Sequence, residues 1–82
     1  MRAVAISLKA LKALGRIPKD EQVVIRAAIR GLSVWPNCRN VKALSDRNGY
    51  RLRVGRYRVL FEMNSDTIMV TEVKKRDERT YS

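Results

Sequence analysis

From Tyr50 to Met63 apolar and charged side chains alternate. Tyr-Arg-Leu-Arg-Val runs to Val54, Gly55 interrupts, and Arg-Tyr-Arg-Val-Leu-Phe-Glu-Met follows. A repeat of two is the period of a β-strand and not of a helix. Asn64-Ser65-Asp66 then separates this segment from a third β-rich run, Thr-Ile-Met-Val-Thr-Glu-Val, ending at Val73. Three strands joined by tight turns are the economical reading. Alternation puts Tyr50, Leu52 and Val54 on one face and Arg51 and Arg53 on the other. It likewise sets Tyr57, Val59, Phe61 and Met63 against Arg56 and Arg58. One sheet face therefore needs an apolar cover, while the opposite face gathers arginines from neighbouring strands.

The first half of the chain supplies the cover. Val4 and Ile6 alternate with small residues and predict a short opening strand, after which Ser7 caps a helix carrying Leu8, Leu11 and Leu14 on one stripe. Gly15 ends that helix. Pro18 opens a second, with Asp20 and Glu21 in its first turn, where the helix dipole favours acids, and Ile25, Ala28, Ile29 and Leu32 on its buried side. Gly31, Ser33 and Pro36 mark the exit, and Trp35 is expected as a core anchor more than as a binding platform. So short a connection predicts an antiparallel helical hairpin. The fold class is α+β: a twisted, mainly antiparallel sheet packed on an N-terminal helical hairpin. With no repeat, linker or low-complexity tract, residues 1–82 read as one domain.

Charge narrows the function. Eighteen Lys and Arg against eight Asp and Glu leave a net charge of +10, which favours polyanions such as nucleic acid, or an acidic partner protein. Histidine is absent, so catalysis must run on Lys, Arg, Tyr or carboxylates. Glycine-rich phosphate loops, paired metal-binding carboxylates and cysteine clusters are also missing, so neither a metal nor a cofactor is expected. The single cysteine, Cys38, has no partner for a disulfide within the chain, which suggests a reducing compartment. Neither an apolar signal segment nor a run of about 20 apolar residues occurs, and the expectation is a cytoplasmic protein without a membrane role.

The basic residues are clustered. Arg51, Arg53, Arg56 and Arg58 lie close together with no acid among them, and Lys74, Lys75, Arg76 and Arg79 follow the third run, with Tyr81 near the end. A solvated surface and an anion-binding groove both accommodate such a cluster. A face kept merely soluble normally intersperses both signs, which favours the groove. Lys9, Lys12, Arg16 and Lys19 spread along the first helix in the manner of a solvated face.

Lys-Ala-Leu-Lys-Ala-Leu, Ile-Pro, an apolar helix, Val41-Lys42-Ala43-Leu44, the run from Gly49 to Phe61, and Lys75-Arg76 before Tyr81 together resemble the RelE/ParE toxin superfamily of bacterial type II toxin-antitoxin systems. The resemblance spans essentially the whole chain, and its most specific part is Gly49 to Phe61. It implies a basic groove on a compact α+β fold, and two activities on that one scaffold. RelE-like members cleave messenger RNA in the ribosomal A site, whereas ParE-like members inhibit DNA gyrase without catalysis; an inactive relative that binds only nucleic acid or antitoxin is a third reading. In the nuclease branch Arg51 and Arg53 match a basic pair on the first hairpin strand, Arg58 the central arginine, Arg76 a later arginine and Tyr81 a terminal tyrosine. Lysines stand in that branch where Arg51 and Arg53 stand here, and its chain continues into a C-terminal helix beyond the point where this sequence ends.

The implied reaction makes those residue types intelligible. Without a metal, the ribose 2′-hydroxyl attacks phosphorus, negative charge builds on the phosphoryl oxygens, and the 5′-oxygen leaves. Guanidinium forks suit that charge. Arg58, Arg76 and Tyr81 are the catalytic candidates, and Arg51, Arg53, Arg56, Lys74 and Lys75 the RNA-binding ones. Proton transfer stays open between Lys75, Tyr81 and ribosomal RNA, because arginine remains protonated. The partners implied are the ribosome with its mRNA and an acidic antitoxin in a hetero-oligomer.

Overall fold

The computed structural model describes residues 2–34, 41–44 and 49–75. In chain order these form β1 (Ala3–Ile6), α1 (Leu8–Gly15), α2 (Lys19–Arg30), a short 3₁₀ turn (Gly31–Val34), β2 (Val41–Ala43), β3 (Tyr50–Val54), β4 (Tyr57–Asn64) and β5 (Thr67–Lys75). Trp35 and Cys38 lie outside the described residues.

The strands make one sheet in the order β1-β5-β4-β3-β2. From β2 onward the chain meanders antiparallel, and β5 returns to lie beside β1, the one parallel pair among the described residues, with Ala3 opposite Thr67 and Ile6 opposite Val70. The turns are those the sequence marks. Gly55, at a φ of 55°, is the first of two residues between the paired ends Val54 and Tyr57, where a positive φ suits the strands' twist. Ser65 takes the equivalent place before Thr67 with a φ of 56°, a conformation that costs a non-glycine residue about 1 kcal/mol.

Both helices pack on the sheet, α1 along β5 and α2 toward β3. Ser7 caps α1 as expected: its Oγ accepts a 3.1 Å bond from the Ala10 amide. Pro18 starts α2 with its φ of −52° and no side-chain cap. Gln22 ties the helices together, its Nε2 donating to the Leu14 carbonyl at 2.8 Å. The buried cluster joins Ala10, Leu14, Ile25, Ile29 and Leu32 to Leu52, Val54, Tyr57, Val59, Phe61, Ile68, Val70 and Val73, and the Tyr50 and Phe61 rings stack with centres 5.5 Å apart.

Two expectations change. The buried stripe of α1 is Ala10 and Leu14, whereas Leu8 and Leu11 face outward at 69% and 43% exposure. A helix of eight residues touching the sheet along one line buries only the i, i+4 pair that faces it. The other change is β2, which sequence patterning does not mark: three residues carry too little periodicity to register.

Truncating Leu14 should therefore cost about 2–5 kcal/mol, as buried Leu→Ala changes do. Truncating Leu8 should leave the urea unfolding free energy within about 0.5 kcal/mol of the parent.

Candidate functional site

The face of the sheet turned away from the core cluster carries the charge. Arg51 and Arg53 point there from β3, Arg58 from β4, as the alternation of buried and less buried residues requires. Pairing then sets them in rows. Arg53 lies directly opposite Arg58, and Arg58 directly opposite Lys74; one step along, Lys42 faces Arg51, Arg51 faces Leu60, and Leu60 faces Glu72. Side chains directly opposed on neighbouring strands stand about 5 Å apart at Cβ, so a row of three cations is self-repelling. Such an arrangement is relieved by an anion lying across it.

Lys74 reaches this row only because of an irregularity. In β5, Ile68 and Val70 face the core, so strict alternation would send Glu72 and Lys74 into it. Instead, Leu60 pairs with Glu72 while Phe61 pairs with Val70, leaving Thr71 as the extra residue of a β-bulge. Val73 becomes the buried residue, and Glu72 and Lys74 turn to the charged face. The bulge is stitched in place. Ser7 Oγ donates to the Thr71 carbonyl at 3.1 Å, and Thr71 Oγ1 donates to the Leu60 carbonyl at 3.2 Å.

Two of the expected RNA-binding residues are placed elsewhere. Arg56 is in the β3–β4 turn and forms a two-point pair with Glu21 of α2, Nε to Oε2 at 3.0 Å and Nη2 to Oε1 at 2.8 Å. Its guanidinium also sits 5.7 Å from the centre of the Tyr57 ring, and the Tyr57 hydroxyl donates to the same carboxylate at 3.3 Å. The Arg56 hydrogen bonds hold the Glu21 carboxyl below its usual range. Lys75 pairs across with the core residue Tyr57, so the bulge that brings Lys74 to the charged face sends Lys75 to the helix side, where its charge also acts on Glu21. Lys75 is accordingly not placed to move a proton in the groove. Arg76 and Tyr81 lie outside the described residues.

Other residues join the face without having been expected there. Lys42 enters through the unrecognised β2. Lys9, from the first turn of α1, binds Glu72 Oε1 at 3.1 Å, and Lys74 approaches the same oxygen at 3.6 Å. The Lys9 hydrogen bond, with Lys74 behind it, holds the Glu72 carboxyl below the ordinary carboxylate range. No group of three or more potential metal ligands occurs among the described residues, and no helix among them is long and apolar enough to cross a membrane.

Neither a family model nor a curated protein sequence matches this chain. Solved structures do. A chain of the archaeal RelE-RelB complex from Pyrococcus horikoshii superposes with a TM-score of 0.80 at 27% identity, covering 94% of this chain and 97% of that one. The RelB-RelE antitoxin-toxin complex from Methanococcus jannaschii gives a TM-score of 0.75 at 26% identity, covering 88% and 89%. These likenesses support the RelE/ParE superfamily for this chain. At the level of the fold alone, the isolated E. coli RelE toxin also matches, with a TM-score of 0.80 at 13% identity over 99% of this chain and 90% of that one. The RelE-type sheet thus supplies the frame on which the present cationic row is mounted.

Two outcomes follow from the charges. Arg53→Thr should raise stability by roughly 0.2–1 kcal/mol, and urea titrations should show the gain shrinking as salt screens the row. For Glu72 the folded pKa is depressed, so the native state binds fewer protons than the unfolded chain near the ordinary carboxylate value of 4.5. Its stabilisation is complete above that value and is lost as pH falls through the folded pKa. Stability of Glu72→Gln should then fall less steeply with acidification than that of the parent.

Proposed function

We propose that this chain is the toxin of a type II toxin-antitoxin pair, a metal-independent endoribonuclease that cuts mRNA in the ribosomal A site. The observation that carries the reading is the Arg53–Arg58–Lys74 row, held in register by three adjacent strands and flanked by Arg51 and Lys42. In-line attack of a ribose 2′-oxygen on phosphorus places added negative charge on the phosphoryl oxygens, and preorganised guanidinium groups stabilise that charge without reorganising. Arg58, the middle member, is assigned to the scissile phosphate together with Arg76, which directly follows β5 in sequence. Arg51, Arg53 and Lys74 hold the flanking backbone, and Tyr81 stacks on a base or orients the attacking hydroxyl.

A nuclease acting on translating ribosomes would stop its own host's growth unless held inactive, so a cytoplasmic acidic antitoxin is the expected partner, forming a hetero-oligomer in which acidic side chains meet the row. The similar structures from Pyrococcus and Methanococcus are a RelE-RelB complex and a RelB-RelE antitoxin-toxin complex, which supports an antitoxin partner.

Induction of the chain in cells followed by mapping of transcript ends tests the proposal. Cuts confined to translated codons are expected, and Arg58→Ala should reduce them about 10²–10³-fold while circular dichroism stays unchanged. Intact transcripts accompanied by double-strand DNA breaks would instead identify gyrase as the target and overturn the nuclease reading.

A further inference from the structure

We propose that the cleft beside the cationic row is a nucleobase subsite that accepts bases bearing an amino group and disfavours uracil. The inference rests on the RNA reading above and names which nucleotide that groove prefers.

The charged face changes sign along the strands. Its first row is Arg53, Arg58 and Lys74. The next carries Arg51, Leu60 and Glu72, and the third contains Gly49 and Glu62, with Glu62 opposite Met69. Successive rows are two residues apart, or about 7 Å. A phosphate seated on the first or second row is repelled from the third, so what lies there must be neutral or carry hydrogen-bond donors. One nucleotide spans that step, from its phosphate to the edge of its base.

At the third row a cleft of about 210 Å³ opens, its lining including Lys9, Leu44, Gly49, Leu60, Glu62 and Glu72. At about 30 Å³ per water it holds the equivalent of about seven waters, the scale of a planar ring and smaller than the usual drug-sized pocket. Leu60 is 7% exposed yet stands apart from the core cluster, so its side chain forms an apolar floor on the charged side. Gly49 keeps the cleft open. A Cβ there would lie 3.3 Å from Leu44 Cδ1 and 3.3 Å from the Phe61 carbonyl oxygen, and its φ of 141° is one that side-chain-bearing residues rarely adopt.

The polar lining selects among bases. Ionised carboxylates only accept hydrogen bonds, and each offers about four acceptor positions. The two lysines on Oε1 of Glu72 hold that group in place and keep it ionised at neutral pH. The amino groups of cytosine, adenine and guanine can donate to Glu62 or Glu72, as cytosine N4 does to a carboxylate in base-edge recognition. Uracil turns carbonyl oxygens toward the same acceptors. Single-stranded RNA allows a base to splay into such a cleft and be read on its edge.

Cytosine and uracil differ here by one amino-for-carbonyl exchange, so the test compares 2′-O-methyl oligocytidine with 2′-O-methyl oligouridine of equal length. Neither can be cut by 2′-hydroxyl attack. Fluorescence anisotropy with the full chain should show oligocytidine binding about tenfold more tightly, within the range of one base-edge contact. Glu72→Gln should bring the ratio close to one, since its amide both donates and accepts. Glu62→Gln, which leaves both lysine contacts intact, should lower the ratio in the same direction. Arg53→Ala should weaken both oligomers and preserve their ratio. Equal affinities in the parent, or a tenfold ratio surviving in both Gln variants, would overturn the base subsite. If Arg53→Ala still weakens binding in that case, the RNA groove stands without it; if Arg53→Ala changes nothing, both fail.

Discussion

A single extra residue in β5 decides which charges share a surface. Without the bulge at Thr71, the alternation begun by Ile68 and Val70 would bury Glu72 and Lys74, and burial of unpaired charge is costly enough to exclude that arrangement. With it, Val73 completes the core and the two charged residues turn outward. The bonds that stabilise the irregularity come from Ser7 and from Thr71 itself. Ser7 also caps α1, so one hydroxyl couples the start of the helix to the aim of Lys74 and Glu72 some sixty residues later.

The two sides of the sheet handle their arginines in opposite ways. On the helix side Arg56 is neutralised by a two-point pair with Glu21 and joins the β3–β4 turn to α2; exposed pairs of this kind contribute little to stability and chiefly fix geometry. On the other side Arg53, Arg58 and Lys74 stand directly opposite one another, with Glu72 within 3.6 Å of Lys74, so that cations concentrate along one row. Local conflict with the rules of stable packing is where function is expected to reside. The same contrast separates Lys74 from its neighbour Lys75, two adjacent lysines with different surroundings.

Much of this was legible in the residue pattern. Alternation over Tyr50–Val54, resumed from Tyr57 and broken only at Leu60, yields β3, β4 and the outward direction of Arg51, Arg53 and Arg58, because the period of a strand leaves no other solution once one face is buried. The α2 stripe of Ile25 and Ile29, continued by Leu32 in the 3₁₀ turn, is equally plain. Arg56 misleads because alternation was extended through a turn, where the two-residue loop breaks the period. Lys75 misleads because a bulge adds one residue and inverts the parity of everything after it, and Thr71 carries no sequence mark of that. The acids of the cleft were invisible for a related reason. Glu62 and Glu72 are ten positions apart in sequence, and only the strand register brings them to one hollow.

The parallel pairing of β1 with β5 has a consequence for how the molecule comes into being. Among the described residues β1 has its one sheet neighbour in β5, and Leu14 and Ala10 share their buried cluster with Ile68 and Val70. The entropy of closing that long loop must be met before the contacts reward it. During synthesis β1 and α1 thus wait for β5 to emerge, and the cationic groove, to which β5 contributes Lys74, does not exist before then.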